Sequence, residues 1–334
     1  MSPSMPPAEQ PSPGAPLPFA DGPHSKIFRF TYQGPPRPLR RYLLERYAYG
    51  RDARWRTSFY PRRIRRNGAA VDEHTVVAPG DRLAYLHLRE EEPPPPTLAP
   101  PLYEDPWMLV LHKPDSLPVN PSGVYYFSSL ALLAREVFGN AELTPVHRLD
   151  LETCGPLLFA KRKGDLPAFH KLFQHKTIRK SYRALVHGDF PPNLREISGK
   201  IVPHPSSRIA TKLRLENGGP EHSLTRIHHV RHCPPFSHLE LEPVTGKTNQ
   251  LRVHLANLGT PIVGDKKYHP DEGVFLDWLA HRDFARLKAQ LLLPRQALQC
   301  QALEFPHPFS GEQIRVEAPP GSWQAKLGEL GEGA

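Results

Sequence analysis

A thirteen-residue run from Arg89 to Pro101, REEEPPPPTLAPP, sets the first constraint on this chain. Each of its six prolines lacks a backbone N–H and fixes φ at about −65°, so the run can neither join a sheet ladder nor continue a helix. It reads as a stiff, extended spacer, with separately folding bodies on its two sides. In a chain of 334 residues, 39% of them hydrophobic, the longer side has the material for a sizeable core of its own. The division expected is a Pro-rich disordered tail over 1–24, a small domain over 25–92, the linker over 93–101, a large domain over 102–325 and a C-terminal tail over 326–334.

Positive charge is concentrated on the short side. The whole chain carries +9, and residues 37–66 alone hold eleven arginines against Glu45 and Asp52, a local excess of nine. Guanidinium forks bind phosphate bidentately and stack on bases, which makes a polyanion the expected partner. Tyr42, Tyr47, Trp55 and Tyr60 lie among those arginines, and such interleaving suits RNA, whose exposed bases stack on aromatic rings; a solvated helix face would carry the same charges. Leu39, Tyr42, Leu43 and Tyr47, and more loosely Phe59 and Ile64, predict two short helices. The Asn67-Gly68 turn then opens a small β-hairpin that runs through Val71, Val76-Val77 and Pro79 to Leu83.

Other classes drop away. Apolar runs near the ~18 residues of a membrane helix are missing, and eight prolines in the first 23 residues stand where a secretion signal needs continuous apolar sequence. A cytoplasmic chain without a membrane partner is expected. Cys154, Cys233 and Cys300 are odd in number and far apart, which suits neither a disulfide framework nor a CxxC zinc site. His228, His229 and His232 have no matching carboxylate spacing, so no metal ligand is assigned. Dinucleotide, Walker, HExxH and GxSxG signatures are also missing.

Beyond the spacer, strand-like stretches recur at 107–112, 157–160, 182–186, 239–243 and 314–317, and helix-like ones at 128–138, 166–174, 249–258 and 275–287. Strict βαβ alternation is not seen, so the expected class is α+β, with a mixed, largely antiparallel sheet flanked by helices. Within this domain, Pro145-Val146-His147-Arg148-Leu149-Asp150-Leu151-Glu152-Thr153-Cys154-Gly155 sets an aspartate between apolar positions beside a basic pair. A partly buried carboxylate stays ionised at neutral pH when a cation or several N–H donors compensate it, an arrangement frequent at active sites; turn capping or pairing with Arg148 would be the plainer role. A second segment, Thr245 to Tyr268, reads as a loop entering a helix. Arg252 falls off the apolar face formed by Leu251, Leu255 and Leu258, and its guanidinium is left to point into a cleft.

These residues resemble the RluA family of RNA pseudouridine synthases. His147 to Gly155 is similar to the family's HRLDxxTSG, and residues 245–268 resemble TGRTHQIRVHLxxxGxPIxGDxxY. Lys113-Pro114 with Val119 and Pro121 resembles KPxGxxVxP, Lys180 to Gly188 resembles KxYxAxVxG, and Leu303 to Gly311 is similar to LxFxHPxTG, so the likeness covers about residues 102–320. The resemblance implies a pseudouridine-synthase catalytic domain in which Asp150 is the catalytic aspartate, Tyr182 the tyrosine beside the target base and Arg252 the partner of the aspartate. It implies further that Arg148, with His147 before it, holds the substrate around the flipped-out nucleotide, and that Lys113, Lys247, Asn249, Gln250 and Leu251 contact the RNA or shape the cleft. Cys154, Lys247 and Asn249 stand where the family usually has Ser, Arg and His. More loosely, residues 25–92 resemble the α-L RNA-binding domain.

The implied activity is isomerisation of specific uridines in structured RNA, ribosomal first and transfer RNA next, with no cofactor and no obligatory protein partner. The alternative is a catalytically inactive RNA-binding or ribosome-assembly factor of the same fold, with a metal-dependent nuclease more distant.

Overall fold

The structure, a computed structural model, describes residues 19–46, 63–122, 125–216 and 222–324. The expectations for Tyr47, Trp55, Phe59 and Tyr60, for the tail before Phe19 and for the tail after Gln324 lie outside the described residues. The chain divides into two compact units, 1–91 and 92–334. Among the described residues no helix is long and apolar enough to cross a membrane.

In the smaller unit the elements are β1 (Ser25–Thr31), β2 (Arg37–Pro38), α1 (Leu39–Arg46), β3 (Ile64–Arg66), β4 (Ala69–Ala70), β5 (Val76–Val77) and β6 (Arg82–Leu88). Four strands form a sheet in the order β1-β6-β3-β4, and β2 pairs with β5. Ile64, read above at loose helical spacing, instead opens a strand, pairing with Tyr85 and burying its side chain beside Tyr32, Leu39, Val77 and Leu83. The Asn67-Gly68 turn forms where expected: both residues have positive φ, 52° and 89°, a region open to Asn and Gly. The whole of β1 escaped the sequence reading; it pairs with β6 from Ser25–Leu88 to Thr31–Arg82.

The larger unit contains β7 (Tyr103–Glu104), β8 (Met108–Lys113), α2 (Leu130–Val137), β9 (Thr144–Pro145), β10 (Gly155–Ala160), α3 (Leu166–Gln174), β11 (Arg179–His187), β12 (Glu196–Pro203), β13 (Leu213–Glu216), β14 (Ser223–Cys233), β15 (Phe236–Pro243), α4 (Gln250–Asn257), α5 (Glu272–His281), α6 (Lys288–Leu291), β16 (Leu298–Pro306) and β17 (Gln313–Glu317). Its strands form two antiparallel sheets, β7-β8-β10-β9 and β13-β12-β14-β15-β11-β16-β17. The unit is thus α+β and antiparallel, with one core running through both sheets from Met108 to Trp323.

The sheets meet where the residues before β10 reach β16. Cys300 N–H donates to Cys154 O at 2.9 Å, and Cys154 makes a single parallel bridge with Gln299. Gly155 allows this approach: it holds φ at 131°, and a Cβ there would lie 2.2 Å from Cys300 O. The site segment is therefore anchored at the seam.

Two boundaries differ from expectation. Glu92, assigned above to the small domain, belongs to the larger unit, where its carboxylate accepts hydrogen bonds from the backbone of Tyr126, Phe127 and Ser128 at 2.8, 2.8 and 2.6 Å. The Pro-rich spacer is likewise held at points, since Pro93 O accepts from Ser128 Oγ and Leu98 packs on the core. The helix expected over 275–287 runs from Glu272 to His281 and stops at Arg282, whose φ of 54° cannot continue it.

Candidate active site

Alternation along the segment before β10 decides what faces the cleft. Val146 N–H donates to Leu158 O and Leu158 N–H to His147 Nε2, at 2.9 and 3.1 Å, fastening the segment onto β10. Leu149 turns into the core, Arg148 turns outward, and the Asp150 side chain is 24% exposed. The three residues after Asp150 are each tied down. Lys113 Nζ donates to Leu151 O at 3.0 Å, Lys266 Nζ to Glu152 Oε1 at 2.6 Å, and Gln296 Nε2 to Thr153 Oγ1 at 2.6 Å.

Arg252 reaches this loop from α4, 102 positions further along the chain. Its Nη1 donates to Asp150 Oδ2 at 2.9 Å, while Nε and Nη2 form a two-point pair with Asp265 at 2.6 and 2.9 Å. The Asp265 side chain is 1% exposed, and its Oδ1 also accepts from the N–H groups of Lys267 and Tyr268. Burial pushes the Asp265 carboxyl up, but the charge and hydrogen bonds of Arg252 outweigh it and leave the group below its ordinary value. Burial likewise opposes the charge on Arg252, and Asp265 and then Asp150 more than restore it.

Helix α4 starts in a defined way. Asn249 precedes it at φ 54°, and the Asn249 side chain donates to Tyr268 Oη at 3.1 Å and accepts from Arg252 Nη1 at 3.3 Å. Gln250 accepts from Thr245 Oγ1 and Lys247 N–H and donates to Leu224 O and Thr225 Oγ1, which binds the loop over 245–249 to β14. Tyr182 enters from β11 beside a bulge at Ser181–Tyr182, a device that re-aims a strand side chain. It is 9% exposed, and burial, with smaller contributions from Cys300 and Asp150, raises its phenol well above the ordinary value, so it stays a proton donor.

The structure thus brings Asp150, Arg252 and Tyr182 into one electrostatic neighbourhood, with Asn249 beside them. Four other assignments need correction. Lys113 is fully buried, its Nζ bonded to Pro114 O and Leu151 O, so it shapes the Asp150 loop and cannot reach a phosphate; burial lowers its affinity for the proton to about 7. Gln250 and Leu251, 4% and 6% exposed, are internal rather than substrate-facing. His147 spends its Nε2 on β10, packs on Phe173, and is kept neutral by burial, which takes it down to about 3. Arg148 and Lys247 are exposed. Leu258, assigned above to the apolar face of the helix, lies past its end and is 37% exposed.

Asp265, Lys267 and Tyr268 are the residues that the sequence reading quoted without giving them a role. Asp265 locks Arg252, and Tyr268 packs its ring 5.1 Å from the guanidinium. The signal was their place in the Gly-Asp-x-x-Tyr pattern at 264–268. The thiols of Cys154 and Cys300 are raised to about 11 and 12 by burial and stay neutral, which removes them as nucleophiles.

Comparison with known proteins adds four likenesses. A family model described as RNA pseudouridylate synthase matches residues 107–257. The chain is 33% identical over 221 residues to the ribosomal large subunit pseudouridine synthase C of Buchnera aphidicola subsp. Baizongia pistaciae (strain Bp), covering 65% of this chain and 66% of that protein. It is 30% identical over 226 residues to the dual-specificity RNA pseudouridine synthase RluA of Pasteurella multocida (strain Pm70), covering 65% of this chain and 94% of that one. Among solved structures, human RNA pseudouridylate synthase domain containing 1 superposes with a TM-score of 0.53 at 26% identity, over 69% of this chain and 86% of that one. The chain thus spans a little under two thirds of the length of the C-type relative, 66%.

Proposed function

This chain belongs to the RNA pseudouridylate synthase family, and from that premise we propose that it isomerises specific uridines in structured RNA, ribosomal RNA first and transfer RNA next. Asp150 is the catalytic carboxylate, Arg252 its orienting cation and Tyr182 the aromatic group against the base. Isomerisation breaks the C–N glycosidic bond, turns the base and joins C5 to C1′ with no net redox change, so an ionised carboxylate, as nucleophile or as stabiliser of a cationic sugar, suffices without a cofactor.

The observation that carries this reading is the Arg252–Asp150 contact at 2.9 Å with the other edge of the guanidinium held by buried Asp265. One N–H orients Asp150, while its side chain remains 24% exposed to an incoming nucleotide. The protonated Tyr182 can stack on the uracil and donate from its hydroxyl. Exposed Arg148 stands beside Asp150 to fill the space left by a base drawn out of the stack. Lys247 at the exposed loop before α4 reaches for backbone phosphate, and residues 25–91 act as an α-L-like RNA-binding domain through their arginines.

Tritium release from RNA labelled at uridine C5 tests the proposal, since forming the C5–C1′ bond expels that hydrogen. Wild type releases label from ribosomal or transfer RNA and Asp150→Asn does not, while binding RNA within a few-fold of wild type. A purified wild-type protein that binds both RNA fractions and releases nothing would overturn the assignment in favour of a binding factor.

A further inference from the structure

Lys267 is half-buried and stands two positions after the Asp265 that holds Arg252. Its backbone is fixed, because its N–H donates to Asp265 Oδ1 at 3.0 Å. Its Nζ lies 5.9 Å from the centroid of the Tyr268 ring, the same ring that carries the Arg252 guanidinium at 5.1 Å. Among the described residues, no carboxylate comes within 4.0 Å of that Nζ and none accepts a hydrogen bond from it.

The neighbouring cations are all committed. Arg252 is taken by Asp265 and Asp150, Lys266 by Glu152 and Pro294 O, and Lys212 by Glu272 at 3.0 Å. Asp265 is already engaged, with Oδ1 accepting three N–H groups and Oδ2 accepting Arg252 Nε. The charges that act on the ammonium are Asp150 from the loop before β10, Asp265 from its own loop, Arg252 from α4 and Lys212 from the connection between β12 and β13. Burial and the two cations weaken its hold on the proton, the two carboxylates strengthen it, and the outcome is about 8.

A partly desolvated cation without an anion is unfavourable until one arrives. When a nucleotide seats its ribose against Asp150, its flanking phosphodiester arrives with it, and Lys267 follows by two positions the Asp265 that holds the Arg252 paired with Asp150. We propose that Lys267 binds the RNA phosphate adjoining the target uridine. This rests on the uridine-isomerising reading above. Lys267 is a binding residue in this role, distinct from the proton-transfer groups.

The test uses full-length wild type, Lys267→Gln and Lys267→Arg on an RNA transcript in which wild type forms pseudouridine, or on total ribosomal RNA as binding probe where it forms none. Kd is read across about 50 to 200 mM salt, and the single-turnover rate at saturating RNA is read beside it. Lys267→Gln weakens binding about tenfold near physiological salt, and its log–log salt slope becomes shallower by about 0.7 to 0.9, the release of one phosphate contact. Its saturating rate stays within about threefold of wild type, and Lys267→Arg restores affinity and slope. Wild-type affinity falls between pH 7 and 9 as the ammonium deprotonates near pH 8, and the arginine variant is flat over that range. Unchanged Kd and slope in Lys267→Gln would overturn the proposal, as would a collapsed saturating rate at unchanged Kd, which would make Lys267 a group of the chemical step. Failure of the isomerase reading appears separately, as intact uridines in wild type while the salt slope still reports the lysine.

Discussion

Replacing Asp265 with Asn tests whether the site depends on a buried charge that need never touch RNA. Asp265 is 1% exposed and receives Arg252 through two hydrogen bonds of 2.6 and 2.9 Å. The amide can keep one oxygen for Arg252 Nη2, Lys267 N–H and Tyr268 N–H, but its NH2 then faces the Nε–H of Arg252, donor against donor. Removing one member of a buried ion pair costs about 3–5 kcal/mol. For a unit the size of residues 92–334, at about 2–4 °C per kcal/mol, the transition of the larger unit should fall by roughly 6–20 °C. That of the smaller unit, residues 1–91, should not move. Turnover should fall by about 100-fold as well, because a guanidinium freed from Asp265 can swing wholly onto Asp150 and misplace its carboxylate.

The sign with pH follows from the depressed carboxyl of Asp265. A folded-state value below the unfolded one contributes stability that is complete above the unfolded value, about 4, and is lost as pH falls through the folded value. The gap between wild type and Asp265→Asn is therefore full at neutral pH and narrows only on acidification below about 4. Thermal melts of the full chain from pH 3 to 7, with tritium-release rates at pH 7, measure both effects. A variant melting within about 2 °C of wild type with unchanged turnover would refute the view that Asp265 neutralises and orients Arg252.

Two further outcomes follow from the fold. Deleting residues 1–91, with Glu92 kept because it caps three N–H groups of the larger unit, should weaken RNA binding and flatten its salt dependence while single-turnover chemistry survives; a folded truncation with no single-turnover activity would contradict that division. Gly155→Ala should lose about 3 kcal/mol or more, measured by denaturant titration, because its Cβ would meet Cys300 O at 2.2 Å in a backbone conformation that suits only glycine; a wild-type midpoint would show that the seam can open at no cost.

What the sequence made legible was the placement of a few side chains by local pattern. Asp150 and Arg252 were identified from motifs about a hundred positions apart, and Tyr182 from a third, because each motif fixes a residue type at a defined place on a loop, helix or strand. What it hid was burial. Lys113 and Gln250 look like ordinary polar residues, and only the packing of β8 against β10, and of α4 against β14, shows that both are inside and hydrogen-bonded to the protein itself. Strands β12 and β14 escaped for the opposite reason. Arg226, His228 and Arg231 are exposed along β14 while Ser223, Thr225 and Ile227 are buried, so its inward face is small and partly polar and gives a weak apolar alternation. Helical spacing at Ile64 lost to pairing with β6, since a short apolar repeat cannot distinguish a helix from a strand.

The distribution of restraints around Asp150 gives the site its character. Its backbone is overdetermined: Thr153 N–H donates to Asp150 O, and Leu151, Glu152 and Thr153 are held by Lys113, Lys266 and Gln296 from three different parts of the fold. Its carboxylate is underdetermined, with Oδ2 on Arg252 Nη1 and, among the described residues, no donor on Oδ1. Had Arg252 faced Asp150 with both edges, the two-point pair would have neutralised the carboxylate and left it little to offer a sugar or a uracil. By committing Nε and Nη2 to Asp265, the fold gives Asp150 one charged N–H, enough to fix its direction and too little to use up its second oxygen. The same division buries the orienting charge and leaves Asp150, the carboxylate proposed to react, partly exposed. A carboxylate proposed to meet substrate must keep a free acceptor, and the largely buried Arg252–Asp265 pair secures that arrangement.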